Sequence, residues 1–300
     1  MSADVAVRRA EAEPELEAWR SVRLAVVPNE RCPSAQELLR TAAPEKLFLL
    51  AELDGQVVGC GVADRSELAG LGMVAPRVLP EARRCGVGTA LLLALAGHVE
   101  GLGFTAARAT VEDEGSLAFA YRFGFREVGR EVEQVRVVGE REVHAEPIPG
   151  LELVSLADRP DLAARTYHEL AAEALRDIPV ESPLEISAED WEREWLAWPE
   201  GTFIALADGE IVGYAGVERD EDVPRRAGHS VTVVRRDWRR RGVASALKQE
   251  TIAWASVSGV RELYTWTQDV NAGMRRVNER LGYVPRGLGI FLRAELPLSR

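Results

Sequence analysis

"RRCGVGTALL" at residues 83–92 and "RRRGVASALK" at 239–248 are one phrase written twice. Each runs arginine, two residues, glycine, one residue, then glycine or alanine: Arg83, Gly86 and Gly88, then Arg239, Gly242 and Ala244. Each opens a helical pattern. Val87, Ala90, Leu91, Ala94 and Leu95 share a face in the first, and Val243, Ala246, Leu247, Trp254 and Val257 in the second. A strand that turns through glycine into a helix leaves backbone N–H groups free at the helix start, where the dipole favours an anion. Gly86 and Gly242 put no Cβ in the way, and Arg83 and Arg239 add guanidinium forks. The phrase therefore predicts a pyrophosphate cradle. The third glycine of a dinucleotide fingerprint is missing, and no Gly-Lys-Ser/Thr follows, so neither common nucleotide loop fits. The bland alternative is a solvated arginine turn before an ordinary amphipathic helix. For "RRDWRRRG" at 235–242 a second alternative is a nucleic-acid patch with Trp238 for stacking.

Working outward, the repeat extends well beyond the phrase. "LLAELDGQVVGCGVAD" (49–64) and "FIALADGEIVGYAGVE" (203–218) are both apolar run, Asp-Gly, apolar run, the signature of a tight β-hairpin. Asp54 and Asp208 are 154 positions apart, Gly86 and Gly242 are 156, and Phe125 and Tyr283 are 158. Three ordered landmarks at nearly one offset describe a duplicated domain. Each copy reads as an early strand ("VAVRRA", "LELVSL"), a helical region, the hairpin and a further strand ("APRVL", "HSVTVV"). The phrase and its helix follow, then a strand ("FTAARATV", "ELYTWTQ"), a short helix ending in Gly-Phe or Gly-Tyr, and closing strands. The expectation is a mixed α/β (α+β) fold in two tandem domains, each a mixed central sheet flanked by helices. They span 1–142 and 143–300, with the boundary inside the polar stretch "GEREVHAEPIPG", 139–150.

Composition narrows the function classes. The chain has 300 residues, 46% of them hydrophobic, and a formal net charge of -11, which disfavours non-specific nucleic-acid binding. Cys32, Cys60 and Cys85 form no disulfide framework, and with four His there is no metal-site spacing. The opening residues carry no apolar signal core, and "ALLLALAG" at 90–97 is too short to span a bilayer. The expectations are a cytoplasmic protein, monomer or homodimer, with no metal and neither nucleic acid nor membrane as partner.

"VLPEARRCGVG" from Val78 and "VRRDWRRRGVA" from Val234, with "SLAFAYRFGF" and "NAGMRRVNERLGY" downstream, resemble the motifs of the GCN5-related N-acetyltransferases (GNAT). The resemblance covers nearly the whole chain, and the doubled arrangement is similar to that of tandem acetyltransferases such as mycothiol synthase. It implies acetyl-CoA as co-substrate. Its pantetheine arm would lie along Pro76, Arg77 and Val78, or along Thr232, Val233 and Val234; Pro76 has no N–H to offer. The pyrophosphate would sit over Arg83, Arg84, Gly86, Val87, Gly88 and Thr89, or over Arg239, Arg240, Arg241, Gly242, Val243, Ala244 and Ser245, with Asn271 as a further contact.

The implied reaction is direct transfer of an acetyl group to a primary amine of a small molecule within a ternary complex. It needs a base, since an alkyl ammonium with a pKa near 10 is only about one part in a thousand neutral at pH 7. The candidates are Glu218, Asp220 and His229 in the second copy, and Asp64 and Glu67 in the first. The donor to the leaving sulfur is assigned to Tyr121 in the first copy and, as its counterpart, to Asn278 in the second. "RDIPVESP" at 176–183 falls where the resemblance places a substrate groove, and the second half is preferred for catalysis. The alternative is a non-catalytic acyl-CoA-binding or regulatory protein.

Overall fold

The computed structural model describes residues 5–28, 32–172, 175–177, 186–219 and 223–299. Contacts divide the chain into two compact units, Met1–Gly129 with Ile290–Arg300, and Arg130–Gly289.

In the first unit β1 (Val5–Arg9), β2 (Leu47–Leu53), β3 (Gln56–Arg65) and β4 (Gly72–Val78) pair antiparallel in that order. The β2–β3 turn is the expected Asp-Gly hairpin, with Asp54 at φ 51° and Gly55 at φ 79°. β4 then pairs parallel with β5 (Ala106–Val111). The far edge of β5 takes Ile290–Glu295, the end of the chain's last strand, β12 (Val284–Glu295), in antiparallel register. Helices α1 (Glu13–Val26) and α2 (Ala35–Arg40) bury Leu16, Trp19 and Leu38 against Phe48, Leu50 and Cys60 on one face. On the other face α3 (Val87–Gly101) buries Leu91, Leu95 and Val99 against Ala63, Val74, Ala107 and Leu292. Ala94, expected on the apolar stripe of α3, is exposed; Leu92 and Val99 complete the stripe instead. The short helix α4 (Glu114–Tyr121) follows β5.

The second unit repeats the plan. β7 (Glu152–Ser155), β8 (Phe203–Ala207), β9 (Glu210–Arg219) and β10 (Arg226–Val234) pair antiparallel, and β10 pairs parallel with β11 (Glu262–Gln268). The outer edge of β11 takes Glu131–Val137 of β6 (Arg126–Val137). Asp208 and Gly209 again turn with φ of 50° and 80°. The region before the hairpin is broken rather than one long helix, with α5 (Ala163–Thr166) and α6 (Ala188–Asp190) each running into a wider π turn. It buries Leu170, Trp191 and Leu196 against Ile204 and Tyr214.

The opposite face of this sheet carries α7 (Val243–Val257), followed after β11 by α8 (Ala272–Arg280). Gly213 in β9 admits α7 closely: a Cβ there would stand 2.9 Å from Leu247 Cδ1. The expected stripe on α7 is corrected at its end. Val257 is 83% exposed, and the buried face includes Lys248, Thr251, Ile252 and Ala255. The polar stretch 139–150 is laid along α7: Gln249 Nε2 donates to Val143 O (2.7 Å), and Ala145 N donates to Glu250 Oε1 (2.8 Å).

Candidate active site

The arginine-glycine phrase makes the same turn in both units. After β4 and β10 comes a single 3-10 turn, Pro80–Ala82 or Arg236–Trp238. The motif arginine then folds back onto its own strand: Arg83 Nε donates to Val78 O (3.3 Å) and Arg239 Nε to Val234 O (2.9 Å). Arg84 and Arg240 take left-handed φ of 66° and 63°, and Gly86 and Gly242 take 89° and 87°. Left-handed residues interspersed in such a turn make successive N–H groups converge into an anion-binding nest. Neither glycine caps its helix with a side chain, so the first amides of α3 and α7 remain free for an external acceptor.

These residues fit a diphosphate, but the two cradles differ. A Cβ at Gly86 would meet nothing within 4 Å, whereas one at Gly242 would stand 3.7 Å from Ile148 Cδ1. In the second unit Asp177 accepts from Arg236 Nε (2.8 Å) and from Arg239 Nη2 (2.6 Å). Those arginines, Arg236 foremost, hold its carboxyl well below the usual carboxylate range. Arg241 stacks on Trp238, its Cζ 4.7 Å from the ring centre.

A gap lies beside each cradle. β4 pairs with β5 only at Gly72 and Met73, and β10 pairs with β11 only from Arg226 to Gly228. Beyond those points the parallel strands diverge, leaving Val74–Val78 and His229–Val234 without a partner on that edge. Pro76, Arg77 and Val78, and Thr232, Val233 and Val234, lie on these divergent segments. β10 also carries a bulge between His229 and Thr232, absent from the β3–β4 register.

The second gap is lined by buried polar side chains. Asn278 is fully buried, its amide donating to Gln134 Oε1 (2.9 Å) and Thr267 Oγ1 (3.2 Å), while its Oδ1 has no partner. His229 Nε2 lies 2.6 Å from the Tyr283 hydroxyl, the backbone of Gly216 also reaches its ring, and Thr232 Oγ1 is unpartnered. Lys248 is 1% exposed; its Nζ has no hydrogen-bond partner and stands 5.3 Å from the Tyr283 ring centre. Burial lowers the Lys248 ammonium to about 7 and raises the Tyr283 phenol. Burial, and then the nearby Lys248, push His229 well below its ordinary value, so its ring is neutral at physiological pH.

The first-unit donor assignment needs correction. Phe125 N donates to Ala120 O, and Tyr283 N donates to Asn278 O. The counterpart of Asn278 is therefore Ala120 and not Tyr121, which is 49% exposed at the end of α4. Its own counterpart, Glu279, is exposed as well. Asn271 caps α8, accepting from Met274 N (3.1 Å).

Of the proposed bases, Glu218 is half-buried near the end of β9, close enough to Tyr214 to raise its phenol after burial has done most of that. Asp64 pairs with Lys46 (3.2 Å), and Glu67 is exposed. Asp220 and residues 178–183 of "RDIPVESP" lie outside the described residues. Sequence reasoning missed Lys248; the signal was a lysine directly after Leu247 on the stripe of α7. Among the described residues, no cluster could hold a metal ion and no helix is long and apolar enough to cross a membrane.

Comparison with known proteins agrees with the doubled turn. The family model described as "Acetyltransferase (GNAT) family" matches residues 11–125 and again 167–283. No curated protein matches the chain. Among solved structures, a GCN5-related N-acetyltransferase from Sphaerobacter thermophilus is 20% identical, with a TM-score of 0.76 over 97% of this chain and 95% of its own. A tandem GNAT protein from the clavulanic acid biosynthesis pathway is 21% identical, with a TM-score of 0.76 over 99% of this chain and 100% of its own. At such identity these likenesses establish the fold. Two family matches, together covering more than half of the sequence, make this chain a member of the GNAT acetyltransferase family with its domain present in tandem.

Proposed function

We propose that the protein is an N-acetyltransferase that moves an acetyl group from acetyl-CoA to a primary amine of a small molecule, and that the second unit performs the transfer. Acetyl-CoA would supply an activated acetyl thioester. Arg239 and the free amides from Val243 to Ser245 would hold its diphosphate, and the unpaired edge from Thr232 to Val234 its pantetheine arm. Arg83 and the amides from Val87 to Thr89 would hold a second acetyl-CoA, either in a purely structural role or as a second active site.

One observation carries the choice of unit. At matching positions around the gap the first unit is apolar or lacks a proton, with Val74, Pro76, Leu92, Ala120 and Phe125. The second unit has His229, Thr232, Lys248, Asn278 and Tyr283. A buried polar group costs stability unless it is hydrogen-bonded, and Lys248 Nζ, Thr232 Oγ1 and Asn278 Oδ1 are not, so a coordinated replacement at five places argues for chemistry there. The rival reading is a protein that binds acyl-CoA without transferring, and it draws on the Asp177–Arg239 pair and on Ile148 beside Gly242.

Calorimetric titration of acetyl-CoA into wild type, Gly86→Asp and Gly242→Asp, with thiol release measured over a panel of amines, separates the readings. Gly242→Asp is expected to remove one binding event and the amine-dependent release. Unchanged stoichiometry and turnover in that variant would show that the second unit is not the working one. Binding without release in wild type, with every amine, would favour the rival.

A further inference from the structure

A lysine is sealed in the core of the second unit with no hydrogen-bond partner. Lys248 lies on the buried face of α7, six residues after the cap Gly242, where the first unit has the core residue Leu92. His229 from β10 and Tyr283, after α8, face it. His229 and Thr232 belong to β10; Ala227 and Val234, at the two ends of the same stretch, pack with α7 residues Ile252 and Leu247. The bulge between His229 and Thr232 keeps both of these polar residues on that helix-facing side. From the β11 side come Asn278, anchored through Thr267, and Tyr283. Three buried polar atoms here lack partners: Lys248 Nζ, Thr232 Oγ1 and Asn278 Oδ1. A cluster of unsatisfied donors and acceptors is a site waiting for a polar ligand.

We propose that Lys248 is the proton donor of this transfer site and that, with Asn278, it receives a thiol or thiolate sulfur in the gap between β10 and β11. The proposal rests on the second unit binding the thioester carrier. In the transfer, the neutral acceptor amine forms a C–N bond to the acetyl carbon as the C–S bond breaks and its electron pair leaves on sulfur. The Lys248 ammonium gives its proton to that sulfur. The proton lost by the new amide nitrogen passes to solvent, from which Lys248 is recharged. An ammonium titrating near neutrality suits both halves of the cycle.

The groups facing Lys248 are His229 from β10 and Tyr283 after α8, with Arg136 and Glu142 beyond Tyr283. On its own helix Glu250 is engaged by His144 (2.8 Å). His229 and Tyr283 are uncharged at neutral pH, so Lys248 is the group of the gap that changes charge there.

The test compares binding of coenzyme A and desulfo-coenzyme A, which lacks the thiol, to the full chain by calorimetry between pH 6 and 9. The second unit of wild type is expected to prefer coenzyme A about tenfold near pH 8. The first unit, isolated as the event that survives in Gly242→Asp, is expected to show no preference. Lys248→Met should abolish the preference. Lys248→Arg should keep it, because the charge remains, yet lose turnover, because a guanidinium does not give up its proton. If Lys248→Met does not fold, thiolate absorbance of coenzyme A bound to wild type decides the matter: a thiol titrating below its free value supports the proposal, and an unshifted one overturns it. Equal affinity of the two ligands in wild type, or a preference that survives Lys248→Met, overturns the proposal and leaves the function standing. Failure of both ligands to bind the second unit sinks function and proposal together.

Discussion

Lys248 should also mark itself in stability. Its ammonium titrates at about 7 in the folded chain, against an ordinary value of 10.5. The unfolded chain therefore binds more protons between those two values, and wild-type stability rises with pH across that window. Below about pH 7 the penalty is complete, of the order of 4–5 kcal/mol from a displacement of that size. Lys248→Met removes it with little change in volume. The variant should be more stable than wild type by a few kcal/mol at pH 6, and the gain should shrink steadily toward pH 10. Urea midpoints at pH 6, 8 and 9.5 check this, and a pH-independent difference would mean that Lys248 is not held uncharged by burial. The residue scale is also where sequence reading was weakest. Gly86, Gly242, Asp54 and Asp208 were legible because a left-handed backbone leaves a compositional trace. Lys248 was not, because a lysine on a helix reads as solvated until the strand beneath it is placed. Tyr121 misled for a related reason: counting back from Gly-Phe does not say which residue turns inward.

At the scale of elements, the two nests share their turn and their uncapped helix but not their surroundings. In the second, Asp177 already occupies the fork of Arg239 and the side chain of Arg236. A diphosphate arriving there must share or displace that carboxylate. Asp177→Asn removes the competing charge and leaves a shorter-lived neutral contact. Coenzyme A binding at the second cradle should tighten several-fold and become more sensitive to salt, since an unneutralised guanidinium then faces the phosphates. Calorimetry at 50 and 300 mM salt reads both effects. Weaker binding in Asp177→Asn would show instead that Asp177 orients Arg239 for the ligand. The strands, hairpins and cradle helices were legible because their periodicity and turn residues are local. The docking of 139–150 along α7 was not, since Glu250 and Gln249 advertise no partner in sequence.

At the scale of the whole molecule, each unit completes its sheet with a strand from the far side of the repeat boundary. Ile290, Leu292 and Ala294 belong to the core beneath α3 in the first unit, and Glu133 and Gln134 are buried in the second. The pattern of a strand does not name the edge it joins, so the sequence shows two consecutive copies and not this exchange. Glu133 is the hub of its charged contacts. This buried carboxylate accepts from Arg226 Nη2 (3.0 Å) and from Arg286 Nε (2.7 Å), and Arg226 is itself buried against Tyr264, its Cζ 3.9 Å from the ring centre. Glu262 also accepts from Arg226 Nε (2.9 Å), so losing Glu133 removes one of two carboxylates from a buried network in which each charge depends on its partners. A fragment of residues 130–289 retains every strand of the second unit and should melt as one cooperative transition. A fragment of residues 143–300 loses Glu133 and Gln134, strips the outer edge of β11, and carries Ile290–Glu295 with nothing to pair. It should be insoluble or melt without cooperativity, as should residues 1–142, which leave the far edge of β5 bare. Circular dichroism melts of the three fragments are sufficient. If 143–300 unfolds as sharply and at the same temperature as 130–289, the exchanged strands are ornaments on sheets that stand without them, and Glu262 alone is partner enough for the buried arginine.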